Sequence, residues 1–418
     1  MPRRAERELH AIRKDLERGH DTRHNRPGGR YRRRRLALSG TVAVVLVAAV
    51  LMGNAIAGSG AKRPARAPRE ATAPTQTTDR TTTSRSATDA NRKPAAKARL
   101  VVSRLNLTFQ EPSDPDIATG RNALGQPVRT LPTLVLYPSY QAPRAARIGT
   151  AARANSRRTY PLIIFSQGFD LAPTVYGGLL HAWARAGYVV AAPTYPDTDS
   201  TGPSTGLGRL YEADIIHHPA DLRFVLASLL ATSRNRHSRL YHLINPREIA
   251  LIGHSDGGDV TLAAAADSCC ELPHIAAAVV LSGAELSTFG GSYFSHGSPP
   301  LLVAQGSADT INVPACSVQI YNAAPQPKYY LNIPNAEHEP PYVDPGPMRT
   351  GVIRATVAFL NAYLKRRAAA LVALDHGGPL PADETLTSGP TAPPLTNTTV
   401  TGTTTLTIPV TSTYCPGA

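Results

Sequence analysis

Hydrophobic and polar positions along residues 99–375 follow two alternating patterns. Short, nearly unbroken apolar runs have the length of strands: YPLIIFSQ (160–167), YVVAAPTY (188–195), EIALIGHS (248–255), IAAAVVLSG (275–283), PLLVAQGS (300–307) and KYYLNIPN (328–335). RLVVSRLNLTF (99–109) and LPTLVLYP (131–138) read as two earlier strands. Between the runs, TVYGGLLHAWARAG (174–187), PADLRFVLASLLAT (219–232), DVTLAAAADS (259–268) and RTGVIRATVAFLNAYLKR (349–366) carry helical spacing. Strands that are apolar on both faces, separated by helices, predict an α/β fold with a mostly parallel sheet covered on both sides. No internal repeat is visible.

The pattern breaks on either side of this domain. Residues 36–57, LALSGTVAVVLVAAVLMGNAIA, carry no charge. As a helix they would span roughly 33 Å, enough for a bilayer core. Arg32 to Arg35 lie just before them, which predicts an N-terminus inside and the rest of the chain outside. The alternative is a cleaved signal peptide, with Val42 to Met52 as its apolar region and Ala55-Ile56-Ala57 as its cleavage site. Both readings place the α/β domain across the membrane, tethered or secreted. Residues 58–98 are rich in Ala, Pro, Thr and Arg and predict a flexible stalk; residues 376–418 predict a Thr/Pro-rich, mostly disordered tail in which TTTLTIPV could add an edge strand.

Charge changes the picture less than its total suggests. The formal net charge is +14, but residues 1–35 hold 13 Lys/Arg against 5 Asp/Glu and residues 58–99 hold 10 against 3. The domain itself is therefore close to neutral, which argues against a nucleic-acid partner. Four cysteines, Cys269, Cys270, Cys316 and Cys415, fit an oxidising compartment. A bond between the neighbours Cys269 and Cys270 would be strained, so the pairings considered are Cys269 or Cys270 with Cys316, or Cys316 with Cys415, with free buried thiols as the alternative.

The chemistry concentrates at GHSDGG, residues 253–258. G-x-S-x-G gains meaning when a strand runs into it and a helix leaves it, because the sharp turn lifts the serine above the sheet. Ser255 has that context and is the candidate nucleophile. A hydroxyl needs a base, and the base needs an acid to hold it. Asp309 follows the run PLLVAQGS and His338 follows KYYLNIPN, so the chain order is Ser, Asp, His, with all three at the carboxyl ends of strands. Glu285 is the rival acid and His376 the rival base. Backbone N–H groups of Asp256 and Phe169 are the candidate oxyanion donors. Gly168 would let the backbone approach substrate, and Gln167, Tyr195 and Tyr293 are candidate substrate contacts. No phosphate loop, dinucleotide fingerprint or metal cluster is present, so no cofactor and no metal are expected. The pair His217-His218 reads as a helix cap.

On GHSDGG, FSQGFD (165–170), GSAD (306–309) and AEH (336–338), the chain resembles the α/β-hydrolase superfamily. Within it the resemblance is to the branch of dienelactone-hydrolase-like proteins, chlorophyllases, platelet-activating-factor acetylhydrolases and cutinase-like polyesterases; HHPADLRFVLASLL (217–230) also resembles a helix of that branch. The resemblance covers about residues 100–370. It implies a triad of Ser255, His338 and Asp309, with Phe169 and Asp256 as the oxyanion pair. Gln167 departs from the histidine or proline that many relatives carry before the glycine.

The connection from IAAAVVLSG to PLLVAQGS is too short for a helical cap domain, so an open cleft is expected, suited to acyl esters, lipids or polymers. The expected function is a serine hydrolase of carboxylic esters working through an acyl-enzyme. An acyltransferase on the same triad and a non-catalytic surface module are the alternatives.

Overall fold

The computed structural model describes residues 99–111, 129–141, 158–199, 201–203, 210–378, 380, 383–394, 396–401, 404–409 and 415. The expected membrane segment at 36–57 lies outside them. No helix among the described residues is long and apolar enough to cross a membrane.

The apolar runs form one open sheet of nine strands in the order β1-β2-β4-β3-β5-β6-β7-β8-β9. The first two, β1 (Arg99–Glu111) and β2 (Arg129–Gln141), make a long antiparallel pair, and β2 also pairs antiparallel with β4 (Val189–Pro193). From β4 the sheet runs parallel through β3 (Tyr160–Ser166), β5 (Ile244–His254), β6 (Ala277–Leu281), β7 (Leu301–Gly306) and β8 (Lys328–Ile333).

The strands lack polar alternation because both faces are covered. On one face Ile163 and Phe165 of β3 pack with Leu179 and Trp183 of α1 (Gly177–Arg185) and with Val352 and Phe359 of α6 (Pro347–Tyr363). Leu162 and Ile164 point to the other face, against Leu222 and Val225 of α2 (His218–Arg234) and Val260 of α3 (Asp256–Ala266). Farther along that face, α4 (Pro314–Ala323) packs Ile320 and Tyr321 on Val303 and Tyr330. Proline at the first or second position, with its fixed φ, starts α2, α4, the short α5 (Pro340–Val343) and α6. Each fully buried aliphatic side chain stabilises the fold by about 1.5–3 kcal/mol relative to exposure. Trp183 meets its polar need by donating Nε1–H to Thr356 Oγ1 at 2.9 Å.

The described residues of the tail include three strands. Strand β9 (Thr385–Thr387) adds antiparallel to β8 and covers the sheet edge, and Tyr321 Oη donates to Gly389 O at 2.6 Å. TTTLTIPV does not take the edge of the main sheet. Its residues 404–409 form β11 (Thr404–Pro409), which pairs with β10 (Thr396–Thr401) in a separate hairpin. The disulfides are Cys316–Cys415, which fastens the tail to α4, and Cys269–Cys270, the pairing between neighbours that strain argued against. The latter lies in the turn after α3. Between β6 and β7 the chain holds only the three-residue 3-10 turn Ser287–Phe289 and no helical cap.

Candidate functional site

The chemistry-bearing residues come together at the carboxyl edge of the parallel strands. Ser255 stands between the end of β5 and the start of α3 with φ 55° and ψ −127°. That conformation is unfavourable for a side chain bearing Cβ, by about 1–3 kcal/mol, and persists only where the surroundings enforce it. Two glycines do so here. A Cβ on Gly253 would run into the Gly257 carbonyl, and one on Gly257 would run into the Ser166 and Gln167 carbonyls. The turn can therefore press against the end of β3. Leu281 O accepts Ser255 N–H at 3.0 Å, and Ser255 O accepts the N–H groups of Gly258 and Asp259 at 2.7 and 3.0 Å.

Asp309 and His338 are joined directly: Nδ1 of His338 lies 2.8 Å from Oδ2 of Asp309, and both residues are buried. The Asp309 carboxyl is held on every side. Oδ2 also accepts Gln305 Nε2–H at 3.0 Å, and Oδ1 accepts the backbone N–H groups of Ile311 and Asn312 at 2.9 and 3.1 Å. Gln305 is in turn fixed by Ser317 of α4, whose Oγ donates to Gln305 Oε1 at 2.6 Å. Asn312 Nδ2 donates to Ser282 O at 2.7 Å and ties this loop to the end of β6.

His338 Nε2 and Ser255 Oγ have no hydrogen-bond partner among the described residues, so the two do not bond each other here. Contacts of this kind commonly tighten only when substrate is bound. The imidazole is nonetheless beside the turn: its ring centroid is 4.7 Å from that of His254, the residue before Ser255.

The loop after β3 faces the serine. An added Cβ on Gly168 would sit 3.1 Å from Ser255 Cβ. Gly168 N–H donates to Tyr176 Oη at 3.1 Å. The next N–H, that of Phe169, has no partner among the described residues. Asp256 is the first residue of α3, so its N–H stands at the positive end of that helix. Gln167 is 2% exposed, and neither atom of its carboxamide has a hydrogen-bond partner.

The hydroxyls of the other two expected contacts are bonded within the protein. Tyr195 is buried, with its hydroxyl 2.9 Å from Ser166 Oγ and its ring stacked on His218 at 4.4 Å. Tyr293 bridges to Asp267 just past α3, and its hydroxyl bonds both the N–H and the carbonyl of Leu286. The rivals are occupied too: Glu285 Oε2 accepts from Gln319, and His376 Nδ1 lies 2.7 Å from the Val372 carbonyl at the end of α7 (Ala368–Asp375). No cluster of potential metal ligands occurs among the described residues.

Two buried polar groupings escaped sequence reasoning. In the first, His254 places Nδ1 2.8 Å from Tyr176 Oη and Nε2 3.0 Å from the His338 carbonyl. Burial, then the neighbouring His338, push its pKa well below the usual histidine range. In the second, Arg129 at the start of β2 bonds Asp214 at 2.6 and 3.0 Å and Asp221 at 2.7 and 2.8 Å, and His218 lies 3.4 Å from Asp214. His254 was visible only as the variable position of GHSDGG. Arg129 was visible only as a cation at the head of an apolar run.

Compared with known proteins, the chain matches no protein-family model, and no curated protein is significantly similar to it in sequence.

Proposed function

We propose that this protein is a serine hydrolase of carboxylic esters with an α/β-hydrolase-like fold. The observation that carries the reading is the strained Ser255 turn set beside an Asp309–His338 pair 2.8 Å apart, all on one edge of the sheet. Strand order, the strand–turn–helix context and the Ser-Asp-His chain order support it as well.

In this reading Nδ1–H of His338 is held by Asp309, so Nε2 of the neutral ring carries a lone pair. Nε2 takes the proton of Ser255 as Oγ attacks the ester carbonyl carbon. The carbonyl oxygen becomes an oxyanion and is met by the N–H groups of Phe169 and Asp256. Collapse breaks the bond to the alkoxy oxygen, which leaves as the alcohol with the proton from His338. Water then attacks the acyl-enzyme, His338 takes its proton, and the acid departs as Ser255 is restored. The disulfides and the uncharged stretch at 36–57 support placing the unit on the outer side of a membrane, tethered or released.

The test is hydrolysis of p-nitrophenyl esters of graded acyl length. The wild type should turn over at least one of them, and Ser255→Ala should lower the rate by about 10⁴-fold or more. Equal rates in the two proteins would end the assignment.

A further inference from the structure

Tyr176 and His254 form a polar chain inside an otherwise apolar packing of Phe165, Trp183, Leu179 and Tyr342. Buried polar atoms in such a place are costly unless every one is bonded, and here the bonding has only one consistent proton arrangement. The His338 carbonyl can only accept, so His254 Nε2 must carry hydrogen. Burial keeps the ring neutral, so Nδ1 is an acceptor and the Tyr176 hydroxyl donates to it. Tyr176 Oη then accepts Gly168 N–H. The chain reads Gly168 N–H to Tyr176, Tyr176 O–H to His254, His254 N–H to the His338 carbonyl.

What this chain joins matters more than its strength. One end is the peptide just before Phe169, whose N–H points at no protein acceptor among the described residues. The middle is the residue before Ser255. The far end is the main chain of His338, whose ring is separately held by Asp309. The base is thus fixed through its side chain by one network and through its backbone by another.

We infer that Tyr176 and His254 are a positioning pair that couples the placement of the oxyanion donor loop to the placement of His338. The inference rests on the hydrolase reading given above. Neither residue touches the reacting atoms; each acts through a neighbour. Because the pair sets geometry needed in the transition state, its loss lowers kcat more than it raises KM.

The experiment is steady-state ester hydrolysis, with the rate of fluorophosphonate labelling and thermal unfolding, on wild type, Tyr176→Phe, His254→Phe and His254→Gln. Tyr176→Phe removes one oxygen, keeps the ring packed 4.7 Å from Phe165, and should lower kcat about 10-fold with KM within about 3-fold. His254→Phe removes both links and should lower kcat about 100-fold. His254→Gln returns an N–H that can reach the His338 carbonyl and should recover part of that loss. Labelling rates should fall in step with kcat, while Tyr176→Phe, whose unfolding midpoint falls by a few degrees because Gly168 N–H and His254 Nδ1 lose their partner, stays fully folded at the assay temperature. Variants that match the wild type in kcat, or lose activity only in proportion to their loss of folded protein, would overturn the inference alone. A wild type that neither hydrolyses esters nor reacts with the probe would overturn the hydrolase reading and the inference with it.

Discussion

Two buried polar networks flank the loop that follows β3, and they are built on opposite principles. The Tyr176–His254 chain is neutral, made of single hydrogen bonds, and ends on backbone groups at the site. The Arg129 cluster is charged. One guanidinium faces two carboxylates, all buried, and its link to the loop is indirect, through His218 stacked on Tyr195 and the Tyr195 hydroxyl on Ser166. A neutral chain loses only about 1–2 kcal/mol when one oxygen is removed, but it releases the groups it aligned. A charged cluster tolerates little, because removing one partner strands the other in a medium that solvates it poorly. The first is therefore expected to govern rate and the second to govern stability.

Removing the cation should have the largest effect. Arg129→Met leaves Asp214 and Asp221 buried without it and should cost about 3–5 kcal/mol in urea unfolding. The triple variant that adds Asp214→Asn and Asp221→Asn should recover most of that loss. If the single variant costs under about 1 kcal/mol, the two networks do not differ in the way described.

A pH dependence follows next. Burial outweighs the Arg129 bonds at Asp221 and pushes its carboxyl up to about 6. At Asp214 burial also acts upward, but the His218 and Arg129 bonds outweigh it and hold the carboxyl below the usual range. Asp221 binds its proton more tightly folded than unfolded. Its contribution is therefore present at low pH and lost as pH rises from about 4 to about 6. In Asp221→Asn that loss should vanish, flattening stability against pH over this window by about 3 kcal/mol. An unchanged slope would place the titration elsewhere.

The smallest changes compare the networks atom for atom. Tyr195→Phe and Tyr176→Phe each delete one hydroxyl oxygen. The first should cost about 1 kcal/mol of stability with kcat within about 3-fold. The second should cost a similar amount of stability but lower kcat about 10-fold. Indistinguishable behaviour of the two would dissolve the contrast.

The sequence revealed those parts of the molecule whose signal is local. Strands such as YPLIIFSQ were legible because burial on both faces makes them apolar throughout. Ser255, Asp309 and His338 were legible because each follows such a run within a few residues, and the structure brings all three to one edge. Helix α4 was missed because its buried positions include Pro314, Ala315, Cys316 and Ser317, which carry little helical periodicity. Strand β9 was missed because a three-residue run of Thr-Leu-Thr has no pattern until an edge exists to receive it. The partners of the Tyr195 and Tyr293 hydroxyls, Ser166 and Leu286, were not legible, since they lie 29 and 7 positions away. The Arg129 cluster draws on residues 85 and 92 positions apart, a separation that no local spacing encodes.

If its surroundings make the hydroxyl of Ser255 reactive, brief treatment with a fluorophosphonate followed by peptide mass spectrometry should find a single adduct on Ser255. That adduct should be absent from Ser255→Ala and form much more slowly in His338→Ala. A wild type that stays unmodified, or an adduct formed as quickly on another serine with residue 255 untouched, would contradict that reactivity.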